Sequence, residues 1–481
     1  MKRGSMPMRR PHSNLNVICL KLSEGWTAMK NEFVWGVSSS AFQIEGATSE
    51  GGRGLSTWDV YTRTPGKILN GDTADIACDH YHRYREDVKL MAELGVTGYR
   101  FSIAWPRIVP DGVGAPNPAG IAFYSDLIDT LLEYGIQPYP TLYHWDLPVI
   151  NQFVADGWLS RQTAEAFARY AGICFEAFGD RVRHWITLNE SWCSAVIGYG
   201  LGAFPPGRRD SEQPYLAAHN LLLAHAMAAR TFREGGFDGQ IGIANNCDWR
   251  EPLTGAEADR QAAERALQFF YGWFTDPLVF GEYPEMMREK LGCRLPEFTS
   301  DERKFVAGSV DFLGLNHYTT LYASAEPPAV GCDIGPNGNG GMIADQDVFL
   351  SVDPAWVQTD MVWSIVPWGL RKMLNWVGER YPGIPVYVTE NGCSCPEPDV
   401  ESALNDTMRQ EYLKAYTASC LAARDEDGVD VRGYFCWTLL DNFEWTSGYA
   451  RHFGLVRCTP SDLTRIRKGG FRTYRDIIAA N

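Results

Sequence analysis

No Cys-x-x-Cys pair occurs in the 481 residues, although the chain carries twelve cysteines. Most lie inside apolar runs such as Gly172-Ile173-Cys174-Phe175 and Tyr434-Phe435-Cys436-Trp437, which reads as free buried thiols rather than a disulfide framework. Cys393 and Cys395 differ, falling in a loop beside Glu390 where an exposed thiol could oxidise. Positive charge is scarce as well. Forty-four Lys and Arg against 59 Asp and Glu leave a net charge of −15, which disfavours nucleic-acid binding, since that relies on cations to displace counterions. A small or neutral partner is expected instead. No run is apolar enough to span a bilayer, so no membrane partner is expected. A secretory leader is not expected either: residues 1–10 are basic, but the following 14–22 are short, broken by Asn16 and Lys21, and carry no small-residue cleavage site. A cytoplasmic protein is expected, with residues 1–28 a disordered extension ahead of one domain over 29–481.

What is present suits a large core, since 45% of residues are hydrophobic and 21% charged. Strand-like runs recur at 33–38, 96–103, 137–143, 182–188, 240–246, 311–316, 385–389 and 432–439. Between them, segments such as 82–94, 121–134 and 163–178 place apolar residues three and four apart, as helices covering a parallel sheet do. Eight strands each followed by a helix predict a (β/α)8 TIM barrel in a single domain, with its chemistry at the C-terminal strand ends. Two strands end in a carboxylate: Thr187-Leu188-Asn189-Glu190, and Val388-Thr389-Glu390-Asn391-Gly392, where Asn391-Gly392 predicts a turn directly after the glutamate. Paired carboxyls facing one another are what glycosidic bond cleavage requires.

Other patterns carry less. Gly198-x-Gly200-x-Gly202 lacks the strand-then-helix setting of a phosphate loop. Asp79-His80-Tyr81-His82 has two histidines at a helix start without a further ligand cluster, so an interhelical or capping role is read rather than a metal site. The run 322–363, with its glycine-rich 335–341, reads as a pocket rim. Trp35, Trp185 and Trp376 read as core.

The motifs Phe33-Val34-Trp35-Gly36, Gln43-Ile44-Glu45-Gly46, Tyr99-Arg100-Phe101-Ser102, His144-Trp145-Asp146-Leu147-Pro148, the two glutamate strands, and Leu440-Asp441-Asn442-Phe443-Glu444-Trp445 together resemble glycoside hydrolase family 1, the β-glucosidase and β-galactosidase family. The resemblance covers nearly the whole chain from Phe33. It implies a (β/α)8 barrel and a retaining β-glycosidase without metal or cofactor, acting on β-D-glucosides first and galactosides or fucosides next. Glu190 is then the acid/base and Glu390 the nucleophile, with Arg100 and Tyr318 orienting Glu390. Gln43, His144, Trp145, Asn189, Asn316, Trp437, Glu444, Trp445 and Phe453 are implied substrate contacts, and Trp192, Phe204 and Trp363 are the aglycone candidates. In a retaining enzyme the carboxyls stand about 5–5.5 Å apart, so the charge of one raises the pKa of the other. Glu444 would accept from two hydroxyls of an unphosphorylated sugar and repel a 6-phosphate, with Arg451 facing elsewhere. The alternatives are a transglycosylating relative using the same glycosyl-enzyme and a non-catalytic sugar-binding relative; the second class loses a glutamate, and this chain keeps both. The sequence departs from the family pattern at Ser191, where proline is usual, at His317, and at Arg457-Cys458-Thr459.

Overall fold

The computed structural model describes residues 33–327, 332–333 and 342–481. The extension expected over 1–28 and the glycine-rich run 335–341 lie outside these residues. The apolar runs become strands because they are buried on both faces, as parallel sheets require. They are β1 (Val34–Ser38), β2 (Gly98–Ser102), β3 (Gln137–Tyr143), β4 (His184–Asn189), β5 (Gln240–Asn246), β6 (Phe312–Asn316), β7 (Val386–Asn391) and β8 (Val431–Trp437). Each pairs in parallel with its neighbours in sequence, and β8 pairs with β1 to close the barrel.

The N-terminal half of the barrel is plugged by side chains. Tyr139, Ile186, Ala244, Phe312, Tyr387 and Phe435, contributed by six strands, form one buried cluster, with the Tyr139 and Phe435 rings 4.9 Å apart. Gly36 leaves room for this layer, since a Cβ there would stand 2.2 Å from Phe435. At this level β7 shifts against β8 between Val386 and Tyr387, and further shifts lie higher up, between Ile186 and Asn189 on β4 and between Val388 and Glu390 on β7. Such irregularities re-aim the side chains that follow. The higher ones fall where a glutamate leaves the barrel wall.

Helices cover the outside. The expected segments form α1 (His80–Leu94), α2 (Pro118–Glu133) and α3 (Arg161–Phe178). Local chemistry sets their starts: the Asn117 side chain accepts from Ala119 N ahead of Pro118 at the first helical position, and Ser160 Oγ accepts from Gln162 N. Along α3 the buried residues Phe167, Tyr170, Ala171, Cys174, Phe175 and Phe178 make a stripe of three- and four-residue spacing against the sheet. A four-stranded sheet of Trp249–Pro252, Thr320–Ser324, Phe349–Val352 and Cys332–Asp333 grows from the segments after β5 and β6. It brings part of the expected rim onto the C-terminal side.

Candidate active site

β4 ends at Asn189, and Glu190 follows with φ +45. Trp145 and Trp445 also sit in the left-handed region, at φ +75 and +49. Side chains other than glycine are strained there, by about 1–3 kcal/mol each, and hold only when surroundings over-determine them. Those surroundings are visible: Glu190 N donates to the Ala244 carbonyl at 2.8 Å, and Cys193 N donates to the Glu190 carbonyl at 2.9 Å. On the other wall the expected turn after Glu390 is displaced. β7 runs on through Asn391, whose side chain donates to the His317 carbonyl at 2.6 Å. Gly392 is required by crowding rather than by a turn, because a Cβ there would lie 1.8 Å from the Trp437 carbonyl oxygen.

The two glutamates occupy different environments. Glu390 is buried and accepts from the Arg100 guanidinium and from the Tyr318 hydroxyl, the latter at 2.6 Å. Burial and the neighbouring carboxyls push the Tyr318 hydroxyl well above its usual range, so it stays a donor. Glu190 accepts from Asn316 Nδ2 at 2.8 Å and from the Cys193 thiol at 3.1 Å. Burial first, and the Glu390 charge second, push Glu190 up to about 8, outweighing those hydrogen bonds and the Arg100 charge. At neutral pH one carboxyl is therefore ready to give a proton while the other is held in place by donors.

Behind them runs a continuous hydrogen-bond network. Asn189 Oδ1 accepts from Arg100 and from Asn316 Nδ2 (3.0 Å), so Asn189 Nδ2 is left to face His144 Nε2 at 3.0 Å. Nε2 then accepts, and the proton of the neutral ring sits on Nδ1. Burial and Arg100 keep His144 well below its usual pKa, hence neutral, and Nδ1 has no partner among the described residues. It remains a donor for a hydroxyl. Asn316 differs from the expectation of direct sugar contact: both of its amide hydrogens face protein acceptors, and its Oδ1 accepts from Thr389 Oγ1 at 2.6 Å. Gln43 likewise gives its two hydrogens to Asn442 (3.0 Å) and Glu444 (3.3 Å).

A cavity of about 380 Å³ opens over both glutamates, a size that suits a small organic ligand. His144, Trp145, Tyr318, Trp437, Glu444, Trp445 and Phe453 line one end, and Trp192, Phe204 and Trp363 also face it. Arg100, Gln43, Asn189 and Asn316 stand behind its wall. Glu444 is pushed up to about 8 by burial and then by the Glu390 charge, with the Gln43 hydrogen bond opposing. A carboxyl raised in this way is largely neutral at neutral pH, which weakens the charge repulsion expected against a 6-phosphate there. Arg451 faces Asp360 at 3.6 Å.

Sequence reasoning missed several lining residues: Cys193, Asn246, Asp248, Arg250, Phe270, Met342, Ile343, Gln346 and Met361, of which all but one carried no signal. Cys193 alone had one, lying three residues after Glu190 and so on the same face of the turn. Cys393 and Cys395 are buried, at 1% and 3% exposure, contrary to the exposed thiol expected; neighbouring segments bring the Arg409 guanidinium and the His452 backbone over that loop. His80 meets Asp87 at 2.8 Å, while His82 meets Asp79 and Glu50, so the two histidines serve separate carboxylate contacts. Gly198 and Gly200 fall inside a π-helical turn, Cys193–Leu201. Trp35 and Trp185 are core, whereas Trp376 is half-buried and donates to Glu264. Glu397, Asp441 and His452 converge, and the Lys468 ammonium bonds both carboxylates there. That ion pairing anchors the segment carrying Asn442 and Glu444.

A barrel that sets a protonated glutamate across a cavity from a clamped one has the equipment for acid-assisted cleavage of a glycosidic bond. The chain belongs to Glycosyl hydrolase family 1, whose profile matches residues 26–481. Beta-glucosidase 4 of rice is 47% identical over 444 residues, 88% of this chain and 89% of the rice protein. Beta-glucosidase 1B of Phanerodontia chrysosporium is 46% identical, covering 88% of this chain and 81% of its own. Among solved structures, a rice β-glucosidase superposes with a TM-score of 0.88 at 44% identity, over 92% of this chain and 97% of that one. A β-glucosidase of Thermotoga maritima in complex with castanospermine gives 0.85 at 41%, over 94% and 98%.

Proposed function

We propose that the protein is a retaining β-glucosidase that removes terminal non-reducing β-D-glucosyl residues, with galactosyl and fucosyl residues as secondary substrates, by double displacement through a glycosyl-enzyme. The observation that carries this reading is the asymmetry of the two glutamates. Glu190, pushed up to about 8, protonates the glycosidic oxygen as the Glu390 carboxylate attacks the anomeric carbon. The C–O bond to the aglycone breaks, the aglycone leaves as an alcohol, and an α-linked ester forms on Glu390. Esterification removes the Glu390 charge, so Glu190, now deprotonated, takes a proton from water as the water oxygen attacks the anomeric carbon, and the ester C–O bond breaks to release the sugar and restore the Glu390 carboxylate. Retention follows from two inversions.

Arg100 and Tyr318 orient Glu390, Asn316 and Cys193 orient Glu190, and His144 Nδ1 and Glu444 offer hydrogen bonds to sugar hydroxyls. Trp437 and Trp445 supply flat faces for its C–H edges. The relatives named β-glucosidases support the glucoside assignment, and a variant of the rice enzyme in a covalent complex with glucose supports the covalent intermediate.

Azide rescue tests the division of roles. Glu390→Ala is expected to abolish turnover and, with azide added, to yield the α-glycosyl azide. Glu190→Ala is expected to keep substrates with good leaving groups and to yield the β-azide. Identical azide stereochemistry from both variants would overturn the assignment.

A further inference from the structure

The outer end of the cavity holds a buried cation without hydrogen bonds among the described residues. Arg250 lies on the strand Trp249–Pro252, whose backbone pairs with Thr320–Ser324. It lines the cavity and is only 3% exposed. Among the described residues its guanidinium makes no hydrogen bond, and Nη1 is fully buried without a partner. The nearest carboxylate, Asp248, is 3.8 Å from Nη1, too far to accept a hydrogen bond, and uses its Oδ1 on Thr319 N at 3.3 Å. Asp248 therefore balances part of the charge while leaving the donors unfilled. An arginine presents five N–H donors in a fixed fork, and a buried one without acceptors is costly unless a ligand supplies them.

The surroundings say where that ligand sits. Trp192, two residues beyond Glu190, stacks on Phe270 with ring centroids 4.4 Å apart and 20° between planes. The Arg250 guanidinium lies 5.4 Å from the Phe270 centroid on the same cavity wall. From the proton donor outward the wall thus runs from indole to phenyl to guanidinium. Met342, Ile343 and Met361 line the same cavity. Of the polar side chains that also line it, Asp248 accepts from Thr319 N, Asn246 faces the Cys193 sulfur and Gln346 donates to the Ile343 carbonyl, so a second sugar, with hydroxyls all round, finds few free partners. A flat apolar group does, provided its far end bears an acceptor.

We infer that the aglycone subsite selects β-glucosides of aromatic acids, in which the ring lies against Trp192 and Phe270 and a free carboxylate pairs with Arg250. This rests on the β-glucosidase reading above and adds the class of leaving group. A carboxylate matches the guanidinium fork in a bidentate pair, and such charge-assisted bonds are roughly twice as strong as neutral ones.

The test compares the β-glucosides of 4-hydroxybenzoate and 4-hydroxycinnamate, two reaches of one chemistry, each against its methyl ester. kcat/KM is measured in the wild type, Arg250→Met and Arg250→Lys. Differences in leaving-group ability cancel when the acid-to-ester ratio of a variant is divided by that of the wild type. Arg250→Met is expected to lower this ratio by about tenfold or more for at least one acid, with Arg250→Lys in between. Equal losses on acid and ester, or an unchanged ratio, would overturn the inference. Should Arg250→Met fail to fold, inhibition of the wild type decides: 4-hydroxycinnamate binding about tenfold tighter than its methyl ester supports the pairing, and equal or weaker binding contradicts it. Turnover of 4-nitrophenyl β-D-glucoside by the wild type is the separate control. Its absence would sink the β-glucosidase reading itself, whereas its presence with no acid preference sinks only the role of Arg250.

Discussion

The inner and outer ends of one cavity are built on opposite principles. At the inner end, donors and acceptors from five strand ends interlock: Arg100 bridges Glu390 and Asn189, Asn316 bridges Asn189 and Glu190, and Asn189 fixes the tautomer of His144. At the outer end, side chains from loops and a small sheet give a largely apolar wall and one guanidinium without hydrogen bonds among the described residues. A reaction centre needs groups held to fractions of an ångström, which rigid strands and shared hydrogen bonds supply. A leaving-group site needs shape and a few polar groups, which loops vary at low cost to the fold. The same chain therefore spends its buried polar groups on rigidity at one end and on selectivity at the other.

The contrast predicts large effects inside and small ones outside. Arg100→Met removes the cation shared by Glu390 and Asn189; kcat/KM is expected to fall on the order of a thousandfold, with the acidic limb of its pH profile moving upward. Arg100→Lys restores only part, since it lacks the planar fork. An unmoved acidic limb would make Arg100 a structural ion pair only. Asn316→Ala should cost about tenfold to a hundredfold in kcat for substrates with poor leaving groups. Because the Asn316 hydrogen bond favours the ionised form of Glu190, its loss should also move the basic limb upward. A basic limb moving down would mean that Asn316 does not act on Glu190.

Glu444 gives a graded effect at the boundary. Its carboxyl, raised to about 8, is largely neutral at pH 6 and charged at pH 9. The preference for an aryl β-glucoside over its 6-phosphate should therefore grow by about tenfold or more between those values, as like-charge repulsion appears. Taking the ratio of the two substrates cancels the titration of Glu190. A ratio independent of pH would remove Glu444 from phosphate discrimination. At the outer end, Trp192→Ala should raise KM for aryl glucosides by about threefold to tenfold through lost ring contact and leave KM for methyl β-glucoside nearly unchanged. Equal changes on both substrates would place Trp192 at the inner end.

The same division decided what could be read from sequence. Strands buried on both faces write themselves as apolar runs, and all eight barrel strands lie where those runs fall, within a residue or two at most ends. Glu190 and Glu390 stood out because each closes such a run. Arg250, Asp248 and Met342 did not, because they converge only once the small sheet folds over the barrel, and no spacing along the chain encodes that convergence. Asn316 was legible as a site residue but not as a group committed to Glu190, since the direction of an amide depends on neighbours from other strands. The burial of Cys393 and Cys395 was hidden for the same reason: Arg409 and His452, which cover them, come from α-helical and loop segments further along the chain.

The central claim is that Glu190 is an acid because of where it is buried and because Glu390 is charged. The direct measurement is the titration of Glu190 by carbon-13 NMR of labelled glutamate, in the free protein and after trapping with a 2-deoxy-2-fluoro-β-glucoside that esterifies Glu390. A midpoint near 8 in the free protein, falling by about one unit or more once the Glu390 charge is gone, is the predicted result. A midpoint near that of an ordinary glutamate in the free protein, or one unchanged by trapping, would contradict it.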